Sequence, residues 1–184
     1  SYIPMGGFKP APDYKAAIQG NEDYYWGMGL TAEAVAKQYK ISREDQDAFA
    51  YASHQKALKA QKSGAFDDQI VPITIEETYI NDNGKKATRT YTVDRDEGPR
   101  ANTSLEALAK LRPVFANNGS VTAGNSSQTS DGAAVLLMMT EDMVNKHKLT
   151  PIARLVSYAT AGVPPKIMGI GPVAAIPKAL DLSL

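Results

Sequence analysis

Residues 118–139, NGSVTAGNSSQTSDGAAVLLMM, constrain the fold more than any other stretch of the chain. Across 118–132 every residue except Val121 is Asn, Gly, Ser, Thr, Ala, Gln or Asp. These types either let backbone come close or give it a hydrogen-bond partner. The apolar, uncharged run 133–139 follows at once. A run of that length bounded by turn signals predicts a strand buried on both faces, with a buried helix segment as the other solution that periodicity allows. A small-residue loop feeding a central strand is where α/β proteins tend to receive ligands; its other use is to let two layers pack closely.

Composition limits what such a loop serves. At 184 residues the chain is long enough for one domain with a substantial core or for two smaller ones. Lys plus Arg equals Asp plus Glu at 20 each, so no overall field recruits nucleic acid or an acidic membrane. There is no cysteine, which removes disulfides, thiolate metal sites and a cysteine nucleophile from this chain. The two histidines, His54 and His147, lie far apart and form no metal-binding spacing. No apolar run approaches the roughly 18 residues of a membrane helix, and no basic-then-apolar leader opens the sequence. A soluble chain of the bacterial cytoplasm or an organellar matrix is expected. The start at Ser1 reads as a fragment or a processed product.

Taken in order, residues 1–29 are broken by Pro and isolated Gly and predict an irregular packed segment, its Tyr24, Tyr25 and Trp26 buried against the helices that follow. Thr31 is the expected cap of a first helix, with Ala34, Val35 and Tyr39 packing. Ser42 with Asp45 predicts a capping box for a second helix running to about Lys62 and stopping at Gly64. On it, Phe49, Ala52 and Ala60 are expected inside and Arg43, Asp47 and Lys59 in water, with His54 a plain structural histidine. From Gln69 the period becomes two, and Asn81-Asp-Asn-Gly84 followed by ATRTYTV predicts a surface hairpin whose first strand is limited by Pro72. Such a ribbon suits subunit assembly. Thr103 with Glu106 predicts a capped short helix ending near Leu111, and Thr140 a cap for another through about His147. Residues 152–159 predict a second core strand, 162–172 a loop without regular structure, and Pro172 the start of a last helix that Pro177 bends or delays.

Gly169-Ile-Gly171-Pro-Val-Ala174 fits the letters of a dinucleotide fingerprint, but the strand ends about ten residues too early and Pro172 removes a backbone donor. No nucleophile elbow, phosphate-binding loop or basic-aromatic nucleic-acid patch occurs. Ser126 and Ser127 have no adjacent histidine or acid, which disfavours serine catalysis and leaves hydroxyl donation to a ligand.

Four blocks in order carry a family resemblance: MGLTAEAVAKQYKISREDQDAFAYASHQKA from Met28, LAKLRPVF from Leu108, TAGNSSQTSDGAA from Thr122, and SYATAGVPPKIMGIGPVAAIPKAL from Ser157. Together they resemble the middle portion of thiolases, enzymes about twice this long that make or cleave 3-ketoacyl-CoA. The resemblance implies an α/β fold of the thiolase type, incompletely represented. Residues 1–129 would be the loop domain with the end of N-terminal domain elements, 130–150 the last strand and helix of the N-terminal domain, and 151–184 the start of the C-terminal domain.

Coenzyme A, a substrate here rather than a cofactor, asks for small-residue backbone and hydroxyls along its amide arm and for arginine or helix N-termini at its phosphates. By resemblance, Ser127 falls where the family's loop serine contacts pantetheine, with Ser126 and Gln128 beside it, and Arg100 where some members place an arginine near the nucleotide. As a turn residue, Arg100 equally suits plain solvation. Met28 and Met168 match methionines lining the acyl pocket, although methionine also fills ordinary cores. Gly27 departs from members with histidine at that place, so a side-chain contact made there is lost. The SSQ of the loop, in place of ASG, is closer to degradative members.

In the whole enzyme, the resemblance implies, a cysteine thiolate takes the acyl group and CoA accepts it, with a second cysteine and a histidine moving protons. None of those motifs lies within these residues, so no catalytic residue is assigned. CoA binding and part of a dimer or tetramer contact are the expected contributions. The other readings are a stand-alone, non-catalytic CoA-binding or assembly module, and a ketoacyl-synthase relative, against which the blocks at Met28 and Asn125 argue.

Overall fold

A computed structural model describes residues 13–183. The expectation for residues 1–12 lies outside the described residues. The chain divides into two compact units. One comprises the described residues up to Ser42, Pro113–Val121 and the described residues from Ser127 on; the other comprises Arg43–Arg112 and Thr122–Ser126.

The first unit opens with a helical turn, Tyr14–Ala16, a wider turn Ala17–Asn21 that contains a kink at Gly20, and a 3-10 turn Glu22–Tyr25. The aromatics do not go inside as expected: Tyr24 and Tyr25 are exposed and Trp26 is half-buried. Helix α1 spans Met28–Tyr39. Its cap is Gly27, four residues before the expected one, and Thr31 is a buried interior residue whose hydroxyl donates to the Met28 carbonyl at 2.8 Å. Ala36 is the buried apolar residue of this helix, whereas Tyr39 is exposed. A 3-10 segment, Pro165–Ile170, packs on α1 where a structureless loop was expected, and Ile167 is buried there. At Gly169 the approach is ordinary, since a Cβ there would sit 3.6 Å from Val35 Cγ2, a normal van der Waals contact. Gly29 is the position where the absence of a side chain matters, because a Cβ would run into the Phe115 ring.

The second unit is built on helix α2, Arg43–Lys62. Its end follows the sequence: Gly64 takes φ 71°, its N–H donates to Gln61 O at 3.1 Å and the Ala65 N–H to Ala60 O at 3.0 Å. That pair of bonds closes the last turn. The helix faces opposite to the expected orientation near its start, however. Phe49 is 78% exposed and Ala52 is exposed, while Asp47 is buried. The inward stripe runs through Arg43, Asp47, Ala50, His54 and Leu58, and polar partners described below make it habitable for a carboxylate.

Strands β1 (Ile73–Ile80) and β2 (Lys86–Val93) form the hairpin, antiparallel in the register Ile73↔Val93 to Ile80↔Lys86. The turn closes as its residues dictate: Asn81 Oδ1 accepts from the Asn83 and Lys85 N–H groups, and Gly84 supplies φ 71°. β1 begins just after Pro72. Helix α3, Leu105–Ala109, packs on α2 and buries Leu108. Its cap is Ser104 rather than Thr103: the Ser104 hydroxyl accepts from the Ala107 N–H at 3.1 Å, while the Thr103 N–H closes a turn onto Arg100 O.

Back in the first unit, α4 (Glu141–Lys146) starts after Thr140 as expected, but no side-chain cap bond forms there. Helix α5, Gly171–Asp181, has Pro172 in its first turn and continues through Pro177. The two expected core strands are not strands. Residues 133–139 and 152–159 pair with nothing among the described residues, and Val135 is 95% exposed. A strand needs neighbours for its N–H and C=O groups, and the sheet among the described residues is two-stranded, β1 with β2. The apolar pattern states what the segment requires; no neighbour among the described residues supplies it.

Candidate functional site

The loop that most constrains the sequence is held by a carboxylate in each unit. In the first, Glu33 of α1 takes the backbone of residues 120–121. Its Oε1 accepts from the N–H groups of Ser120 (3.0 Å) and Val121 (2.9 Å), and its Oε2 from Ser120 N–H (3.0 Å) and Ser120 Oγ (3.1 Å). The pairing satisfies donors that burial of Val121 removes from water. Glycine at 119 is required beneath it, because a Cβ would run into that carboxylate. The stretch also closes on itself through Val114 N–H to Val121 O at 3.1 Å.

In the second unit Asp47 holds residues 122–126. Its Oδ2 takes the Arg43 Nε–H at 2.8 Å, and its Oδ1 takes the Asn125 Nδ2–H at 2.9 Å. Asn125 Oδ1 accepts from the N–H of Thr122, which is wholly buried, at 2.7 Å. Arg43 spends Nη2 on the carbonyls of Leu108 (2.7 Å) and Leu111 (3.0 Å), tying the end of α3 to the same group. Ser126 folds back on Thr122 O with both its N–H (3.1 Å) and its hydroxyl (2.7 Å). Its hydroxyl hydrogen is therefore committed, leaving the oxygen as an acceptor.

The remaining expected site residues fall as follows. Ser127 and Gln128 are exposed, with the Ser127 hydroxyl donating to Gln128 O at 3.1 Å and Gln128 Nε2 reaching Ser130 Oγ at 3.1 Å. Arg100 is exposed, and its backbone N–H donates to His54 Nδ1 at 3.2 Å. The histidine thus anchors the turn that carries Arg100, a link that a separation of 46 positions hid from the sequence. Met28 begins α1 and Met168 sits in the 3-10 segment packed on that helix; they are 57% and 45% exposed. An open depression of about 610 Å³, lined by Glu33, Lys37, Lys40 and Ser120 among others, contains none of the expected site residues.

The residues that sequence reasoning missed are Glu33, Arg43, Asp47 and Asn125. Their one signal was the position of Asp47 on the stripe that turns Ala50, His54 and Leu58 inward on the same side of α2.

Comparison with known proteins decides the family. The family model described as "Thiolase, N-terminal domain" matches residues 18–142. The 3-ketoacyl-CoA thiolase of Bacillus subtilis (strain 168) is 48% identical over 183 residues, covering 100% of this chain and 46% of that protein. The chain belongs to the thiolase family. The human peroxisomal 3-ketoacyl-CoA thiolase is 53% identical over 154 residues, 84% of this chain and 35% of that protein. Among solved structures, the Bacillus anthracis acetyl-CoA acetyltransferase superposes with a TM-score of 0.75 at 43% identity, covering 100% of this chain and 45% of that one. The dimeric peroxisomal thiolase of Saccharomyces cerevisiae gives 0.77 at 39% identity, covering 97% and 42%.

This thiolase-family chain thus spans about half the length of the curated relatives it matches, or less, and carries the thiolase-like α/β fold in part. All of the expected site residues except Met168 fall within 18–142, and Met168 lies within the Bacillus subtilis match, which takes in nearly the whole chain. No helix among the described residues is long and apolar enough to cross a membrane.

Proposed function

We propose that this chain serves an acyltransferase that moves an acyl group between 3-ketoacyl-CoA and CoA, in fatty-acid β-oxidation, and that these residues supply CoA and acyl-pocket contacts. The observation that carries the reading is the construction of residues 122–126. There a buried carboxylate, an asparagine and a fully buried threonine hold a loop of small residues in one shape, as a slot for an amide-bearing arm requires. In this reading Ser127 contacts the pantetheine arm, Ser126 accepts from it, Gln128 lies beside them, Arg100 meets the nucleotide phosphates, and Met28 and Met168 line the acyl channel. With no cysteine among its 184 residues, the chain by itself has no thiolate to take the acyl group and is inactive alone. In the same reading the runs 133–139 and 152–159 become strands of the N- and C-terminal domains only within the whole protein, where neighbours pair with them, and the whole protein self-associates.

Calorimetric titration of the chain with CoA tests the proposal. Ser127→Ala is expected to weaken binding about three- to tenfold, the worth of one net hydrogen bond. Arg100→Ala is expected to weaken it about tenfold or more and to flatten its salt dependence. Absence of CoA binding by the unsubstituted chain, or indifference to both substitutions, overturns it.

A further inference from the structure

Asp47 calls for an explanation that the fold alone does not give. Its side chain is 7% exposed, and removing a carboxylate from water is costly unless charge and hydrogen bonds replace the lost solvation. Both oxygens are occupied: Oδ2 by Arg43, one turn earlier on α2, and Oδ1 by the Asn125 amide. The arginine in turn binds two carbonyls at the end of α3, so the carboxylate is held rigidly before it meets the loop. Asn125 passes the constraint on, its NH₂ donating to the acid and its oxygen accepting the Thr122 N–H. Thr122 then receives the Ser126 N–H and hydroxyl on its carbonyl and the Gly124 N–H on its Oγ1 at 3.2 Å. A hydrogen-bonded chain therefore runs from the charged pair on the helix to the hydroxyl of Ser126. In the CoA-binding reading only its last member touches the ligand.

We infer that Asp47 is a positioning residue for ligand binding: acting through Asn125, it holds the Thr122 backbone where its carbonyl takes the Ser126 hydroxyl hydrogen, so that Ser126 meets an amide-bearing ligand as an acceptor. The inference rests on the CoA-binding reading above. Because the serine hydrogen is spent on Thr122 O, Ser126 presents lone pairs, so the ligand group it selects is an N–H donor. A carboxylate at 47 determines which way the Asn125 amide faces because it accepts only, which forces Asn125 to donate to it and to keep its own oxygen for Thr122.

That logic yields a test by exchange of roles. In Asp47→Asn the new amide cannot accept from both Arg43 and Asn125, so a donor faces a donor. In Asn125→Asp two carboxylates meet where a 2.9 Å hydrogen bond stood. In the double variant D47N/N125D, Arg43 donates to the oxygen of the amide now at position 47. The NH₂ of that amide donates to one oxygen of the carboxylate now at position 125, and the Thr122 N–H donates to the other. The same three bonds exist with one link reversed.

CoA affinity by calorimetry and exchange of the Thr122 amide by NMR are measured for the 184-residue chain and the three variants, with helical circular dichroism as the check on folding. Each single substitution is expected to weaken CoA binding about tenfold or more and to accelerate Thr122 exchange, and the double to recover both to within about threefold. If the unsubstituted chain binds CoA and the folded single variants bind it equally well, Asp47 is merely structural and the inference falls while the CoA reading stands. If the double variant folds but does not recover, it falls likewise, because bond polarity was not what mattered. If the unsubstituted chain does not bind CoA, the reading fails and takes this inference with it.

Discussion

Glu33 offers the sharpest quantitative test of how the loop is held. Its carboxylate receives two backbone N–H groups and one hydroxyl, and one of those N–H groups belongs to buried Val121. Hydrogen bonds to a charged acceptor are worth about 1.5–3 kcal/mol each net, and a buried donor left unpaired costs about 1–3 kcal/mol. The group is half-buried, so the low end applies, and at about 1.5 kcal/mol for each of the two backbone N–H groups Glu33→Ala is expected to cost them about 3 kcal/mol locally. Glu33→Gln behaves differently. The Gln oxygen in the place of Oε1 still accepts both N–H groups, and its NH₂ donates to Ser120 Oγ once that hydroxyl rotates, so about 1 kcal/mol is lost with the charge. Native-state amide exchange at Ser120 and Val121 reads this directly, at about tenfold per 1.4 kcal/mol. Exchange is expected to accelerate roughly a hundredfold in the alanine variant and about fivefold in the glutamine variant. Equal acceleration in the two, or less than about fivefold in the alanine variant, refutes the assignment of Glu33 as the acceptor that holds residues 120–121.

Other outcomes follow from the same geometry. Gly29→Ala drives a methyl group into the Phe115 ring and is expected to destabilise the first unit by about 1–3 kcal/mol in urea unfolding. Ser104→Ala removes the acceptor of the Ala107 N–H and is expected to cost about 1 kcal/mol, whereas Thr103→Ala costs little; equal effects would return the cap to Thr103. The Glu106 carboxyl titrates below the ordinary glutamate value of about 4.3, held down by its own backbone N–H and then by Ser104. Since the folded value is the lower one, its contribution to stability is complete above the unfolded value and disappears as pH falls through the folded one; carboxyl-carbon NMR checks the midpoint. His54→Ala is expected to leave α2 intact and speed amide exchange at Arg100, whose N–H loses its acceptor.

What the sequence revealed divides along a physical line. Features fixed by residues close in the chain were legible: the hairpin turn at Asn81–Gly84, the end of α2 at Gly64, the start of α4 after Thr140. The turn depends on the Asn81 side chain, the end of α2 on the backbone freedom of one glycine and the start of α4 on the extended backbone of Thr140, all within a few residues of chain. Features decided by distant partners were not. Asp47 looked solvated because its counter-charge and its amide partner are, respectively, four and 78 residues away, and only the second reveals why the carboxylate is inside. Phe49 looked buried because apolarity was read without knowing which face of α2 met its unit. Residues 133–139 looked like a central strand because their pattern is one, and pattern carries no information on whether neighbours are present. Of the site, the loop itself was evident from its small residues and family resemblance, while the acids that shape it were not.

The uncovered run has a colloidal consequence. Val135, Leu136 and Leu137 are each more than four-fifths exposed, in a stretch without charge, proline or glycine between Gly132 and Thr140. Its backbone donors and acceptors have no ladder partner among the described residues, so a second copy of the same stretch is a ready template for it. With a formal net charge of zero, little long-range repulsion keeps two copies apart. Self-association through this run is therefore the expected behaviour at high concentration, and Leu136→Lys is expected to slow it, as light scattering would read.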